Sequence, residues 1–147
     1  MGDATQDSAR QAPSRSDAEL PHFLVPTVLR FTEEGAIRLI GSRCGACALT
    51  AFPAVTVCST CLAEEMHDFE LPQSGILYAF SQVHVGPAKW LKPYTLGYVD
   101  LPGGLRLLSH IVGAQPRIGQ RVTLDVGPVA QSAGAEPIVH FIFRAED

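Results

Sequence analysis

Over its second half the chain alternates between apolar runs of strand length and turns built on proline and glycine. Residues 75–84 have the length and the β-branched and aromatic content of a strand. A loop at 85–93 follows, then two further runs, 94–101 and 105–112. These flank Pro102-Gly103-Gly104, a hairpin turn in which glycine can take the positive φ required. The connection at 113–120 is too short for a sizeable helix. Residues 121–126 alternate apolar and polar, and 138–143 read as a buried strand. Between those two, Gly127-Pro128 and 134–137 bound a flexible loop. Five strands with no convincing helix predict a mainly β protein closed into a small Greek-key barrel.

Among such barrels the OB-fold fits this strand count best. It is expected over residues 71–147, with Phe80, Phe141 and Phe143 at core positions. Upstream, residues 1–19 are polar and aperiodic and are expected to form a disordered tail. A short hairpin is expected next, pairing 27–31 with 36–40 around a turn at 33–35. Residues 41–43 then lead into the first of two cysteine pairs, so 20–70 reads as a small module preceded by a hairpin. No internal repeat is visible.

That module holds all four cysteines of the chain, as Cys44-Gly45-Ala46-Cys47 and Cys58-Ser59-Thr60-Cys61, with ten residues between the pairs. Two Cys-x2-Cys knuckles at this spacing are the ligand set of a tetrahedral thiolate metal site. One Zn2+ in a structural role is expected. Four thiolates close the shell, whereas a catalytic zinc keeps a position open for water. Two disulfides, or iron in an electron-carrying site, are the competing readings. Between the knuckles, Leu49, Phe52 and Val55 form a small apolar cluster limited by Pro53. A module of roughly 40 residues cannot bury enough surface to fold alone, and metal–ligand bonds contribute on the order of 10 kcal/mol in comparable zinc peptides.

Composition narrows the function. A 46% hydrophobic, 18% charged chain of 147 residues has a core. Its net charge is −4, of which the tail supplies about half, and this is a poor footprint for phosphate-backbone binding. No apolar run reaches the roughly 18 residues of a membrane span, and the N-terminus has no basic-then-apolar leader. A cytoplasmic location, where thiols stay reduced, is expected. The stretch Glu64, Glu65, Asp68 and Glu70 reads as a solvated face. His22, His67, His84, His110 and His140 are scattered, without metal-ligand spacing; His84 and His110 fall on strands that could be neighbours.

The order of motifs resembles the DUF35 family. The residues carrying the resemblance are 41–47 with the first knuckle, Phe52-Pro53, the second knuckle at 58–61, 75–78, Pro93-Tyr94, 99–104 and 118–122. They span about 22–145. The resemblance implies a rubredoxin-like zinc ribbon joined to an OB-fold associated with acyl-CoA chemistry. It also implies a small subunit that partners a thiolase-superfamily protein: a thiolase, acyltransferase or retro-aldolase acting on CoA thioesters. In such a complex, expected as a heterotetramer, the larger subunit holds the catalytic groups and this chain holds none. The segment before the first knuckle reads as a hairpin, where many members begin with a helical arm.

Outside the cysteines, the loop carrying Lys89, Trp90 and Lys92, with Tyr94 beyond it, is the leading candidate for ligand or partner binding, with Arg106 added from the later strand. Lysines can pair with CoA phosphates while an aromatic ring stacks on adenine. The same residues can instead meet a partner or cap the barrel end. Exposed apolar surface is expected around Val25, Leu91 and the C-terminal strand. The alternative function is nucleic-acid binding, which zinc ribbons and OB-folds both serve. Stand-alone acyl-CoA binding is a further one.

Overall fold

The computed structural model describes residues 26–146; Val25 and the expected tail lie outside the described residues. A short 3-10 turn, Pro26–Val28, leads into β1 (Leu29–Phe31), which pairs antiparallel with β2 (Ile37–Cys44). The turn between them closes on Thr32, whose carbonyl accepts from the Gly35 N–H and whose hydroxyl accepts from the Ala36 N–H. Residues 27 and 28, expected as strand, belong to the 3-10 turn and sit outside the β1–β2 register. β2 also pairs with the two-residue β3 (Thr50–Ala51) and with β4 (Met66–Glu70), so one strand organises the first sheet and ends on the first cysteine.

The barrel follows: β5 (Ser74–Val83), β6 (Tyr94–Leu101), β7 (Leu105–Val112), β8 (Arg121–Ala130) and β9 (Ile138–Ala145), closed in the order β5-β6-β7-β9-β8. All pairings are antiparallel except β7 with β9. Gly103 and Gly104, at φ 95° and 91°, make the β6–β7 turn that the sequence predicts. Among the described residues no helix is long and apolar enough to cross a membrane.

Strand β8 runs past the point the sequence suggests. Gly127-Pro128, expected to open a loop, instead continue the ladder with β9, and a register shift between Pro128 and Ala130 absorbs the irregularity. Proline is tolerated because β8 meets β5 only through residues 121–123, so the missing N–H falls on an edge without a partner strand.

The main core is shared by the two sheets. Leu39 of β2 and Leu71 pack with Leu77, Val99, Val122 and Phe143. Phe52 does not stay in a separate apolar cluster with Leu49 and Val55. It joins this core with its ring edge-on to Phe141, at a centroid distance of 5.7 Å, and Val55 is exposed. Phe141 and Phe143 are buried as expected, but Phe80 is 39% exposed. A bulge between Leu77 and Ala79 sets Phe80 opposite Gly97, beyond the part of β5 that β8 covers. The C-terminal strand is likewise no exposed apolar surface, since Phe141, Ile142 and Phe143 are all buried.

Candidate metal centre and barrel face

The two cysteine pairs are held by the same turn made twice. In the first, the Ala48 N–H donates to the Cys44 carbonyl and the Cys44 N–H to the Leu49 carbonyl. In the second, Leu62 donates to Cys58 and Cys58 to Ala63. Ala48 and Leu62 both adopt the left-handed conformation, at φ 64° and 61°. The backbone thus repeats although Gly45-Ala46 and Ser59-Thr60 share no residue type. The first knuckle is tied to the chain just before β4 by the Gly45 N–H bonding the Glu65 carbonyl.

These turns converge all four sulfurs to within 4.8 Å of one another. The Cys44–Cys61 and Cys47–Cys58 Sγ separations are 3.6 and 3.5 Å. A disulfide needs about 2.05 Å. Thiolates at about 2.3 Å from a shared tetrahedral zinc lie about 3.8 Å apart, so the cluster fits the ion and not a bridge. Backbone N–H groups of Ala46 and Cys47 point at the Cys44 sulfur, 3.4 and 3.5 Å away. The N–H groups of Cys61 and Thr60 bring the Cys58 thiol down to about 6. At Cys47 the Leu49 N–H favours the thiolate, but the Cys58 sulfur, burial and the other two sulfurs outweigh it and push the thiol up to about 12. Four negative sulfurs cannot coexist at this spacing without a cation, so the geometry asks for one.

On the barrel, the 84–93 loop folds back over the end of β8. The Leu91 N–H bonds the Val129 carbonyl and the Gln131 N–H bonds the Lys89 carbonyl. This lays Trp90 flat on the His110 ring, 5.3 Å between centroids and 14° from parallel, with Tyr94 5.0 Å from the same imidazole. Arg106 lies toward the other end of the β6–β7 hairpin. It grips Asp100 with two hydrogen bonds of 2.6 and 3.0 Å and covers the Tyr78 ring at 3.4 Å.

Residues 33–67 match the family described as ChsH2, rubredoxin-like zinc ribbon domain, and residues 69–126 match ChsH2, C-terminal OB-fold domain. The benzoylsuccinyl-CoA thiolase subunit BbsA of Thauera aromatica is 33% identical over 92% of this chain and 98% of its own. A DUF35 domain-containing scaffold protein of Methanocaldococcus jannaschii is 34% identical over 57% of this chain and 64% of that one. Among solved structures, the Ltp2-ChsH2(DUF35) aldolase superposes with a TM-score of 0.60 at 28% identity, over 74% of this chain and 84% of that one. The chain belongs to the DUF35 family.

The DUF35 fold brings together only part of what the sequence singles out. Cys44, Cys47, Cys58 and Cys61 form one cluster. Trp90 and Tyr94 form a second, with their rings turned on His110. Lys92 closes its own loop, its Nζ donating to the Pro87 carbonyl at 2.6 Å. Lys89 remains exposed. Arg106 is separated from all four. His84 lies just past the end of β5, and β6 stands between β5 and His110, so the two histidines do not occupy adjacent strands.

Sequence reasoning missed Asp100 and the His110–His140 pair. Asp100 was accessible by counting outward from the 102–104 turn, which sets Asp100 opposite Arg106. The histidines carry no such signal, because the parallel β7–β9 pairing joins segments far apart in sequence. Burial lowers the pKa of His110. Burial and then the charge of His110 lower His140 to about 4.

Proposed function

We propose that this DUF35 chain is a non-catalytic accessory subunit of a thiolase-superfamily enzyme acting on CoA thioesters, supporting its assembly and its acyl-CoA handling. The observation that carries this reading is the near end-to-end similarity to a benzoylsuccinyl-CoA thiolase subunit, with 98% of that protein covered. One zinc ion is held by Cys44, Cys47, Cys58 and Cys61. It neutralises the thiolates and ties the two knuckles to β2, the strand that also feeds Leu39 into the barrel core. The larger subunit supplies the groups that break or form the carbon–carbon bond. The pair assembles as a heterotetramer in the cytoplasm, where the cysteines stay reduced.

Nucleic-acid binding fits less well. Arg30, Arg38, Arg106 and Arg144 are each paired with a carboxylate, and a chain of net charge −4 is a poor footprint for a phosphate backbone. The test is co-expression with a thiolase-superfamily protein from the same organism. A stable complex with one zinc per small subunit is expected. An isolated, metal-free chain that folds and does not associate would overturn the proposal.

A further inference from the structure

The outer face of β5, β6 and β7 carries four large side chains that a soluble barrel alone does not need there. Ile76, Tyr78, Tyr98 and Leu108 are 43, 50, 47 and 49% exposed. The register makes them contiguous: Tyr98 sits beside Leu108 on one side and the β5 bulge at Tyr78 on the other, with Ile76 opposite Asp100. Together they present on the order of a few hundred Å2 of apolar surface, the scale of an interaction site. Val85, Leu62 and Ile118 are more exposed but lie singly on loops.

The face continues into a groove of about 350 Å3 walled by Val28, Phe52, Pro53, His140 and Phe141, with Leu108 and Arg106 on its rim. The charged groups within it cancel, because Arg106 and Asp100 form a bidentate pair. His140 is neutral near pH 7. Arg121, opposite Ile76 on β8, marks the edge. An uncharged centre with tyrosines, a paired arginine and a polar rim is the anatomy of a protein–protein interface. It does not suit a phosphate backbone or an acidic peptide, either of which needs unpaired cations.

We propose that this face of the barrel, with its groove, is where a folded protein subunit docks through an uncharged apolar surface of its own. Resting on the function above, that subunit is the thiolase-like one.

The experiment measures the affinity of the zinc-loaded full chain for the thiolase-like subunit that co-expression identifies. It compares wild type, Tyr98→Asp, Leu108→Glu, the milder Tyr98→Ser/Leu108→Ser, and Ser132→Glu in the exposed β8–β9 loop. Circular dichroism and zinc content verify folding. The two charge variants are expected to weaken binding at least 100-fold and the double serine variant at least tenfold, with Ser132→Glu within threefold of wild type. Full-strength binding by all variants overturns the docking face and leaves the accessory-subunit function standing. No binding by wild type overturns that function and this assignment with it. A wild-type homodimer that Tyr98→Asp dissociates, with subunit binding unchanged, overturns the assignment. So does saturable oligonucleotide binding that the same change abolishes while subunit binding stays intact.

Discussion

Leu62 ends the second knuckle in a backbone conformation that costs an L-residue roughly 1–2 kcal/mol. Glycine reaches it without that strain, at a loss of about 0.5–1 kcal/mol in chain entropy. The leucine side chain is 75% exposed, so truncating it forfeits only about 0.5 kcal/mol of burial. Leu62→Gly therefore nets only about 0.25 kcal/mol of stabilisation at the middle of these ranges. Ala48→Gly, at the equivalent exposed position, gives up almost no apolar contact and gains about 0.75 kcal/mol. Because forming the knuckle and binding the metal are one event, the gain should read out as zinc affinity, about 1.5-fold tighter for Leu62→Gly and about 3.5-fold for Ala48→Gly. Competition against a chromophoric chelator under anaerobic conditions measures it. Unchanged or weaker binding in both variants would show that the two turns are not the strained repeat described above.

Three further outcomes follow from the same contacts. Leu39→Ala, at a fully buried position where the ribbon strand enters the barrel core, should cost about 2–5 kcal/mol and lower the urea midpoint of ribbon and barrel probes together; separate transitions would contradict a shared core. Gly97→Ala places a Cβ 2.7 Å from Ile111 Cγ1 and 2.9 Å from the Ala79 carbonyl, so it should destabilise by about 1–3 kcal/mol, and a neutral result would refute that packing. His140 is held near 4 against an ordinary 6.5, so the unfolded chain binds more protons between those values. The stability this contributes is complete above pH 6.5 and drains as pH falls toward 4, and His140→Gln should flatten that part of a urea-midpoint profile.

How much of this was legible beforehand depends on whether the deciding contact is local. The cysteine spacing, the glycine pair at 103–104 and the apolar runs of β6 and β7 are local signals, and they placed the ribbon and three turns of the barrel directly. Phe52 could not be placed that way: its partner, Phe141, lies at the far end of the chain. Nor could the continuation of β8 through Pro128, which depends on β9 pairing along one side and on no strand opposing Pro128 along the other. The Trp90 loop offered the right residue types for a ligand, yet the Val129 and Lys89 hydrogen bonds that decide where its ring lies are tertiary. Arg106 was singled out for its charge, and Asp100 takes that charge up.

The most direct measurement is turnover of acyl-CoA by the zinc-loaded chain alone, by the thiolase-like subunit alone, and by the two mixed at equal concentration. The account predicts activity in the mixture far above the sum of the separate samples, and none from this chain by itself. Turnover sustained by the isolated chain, or a partner whose rate is indifferent to its presence, would contradict it.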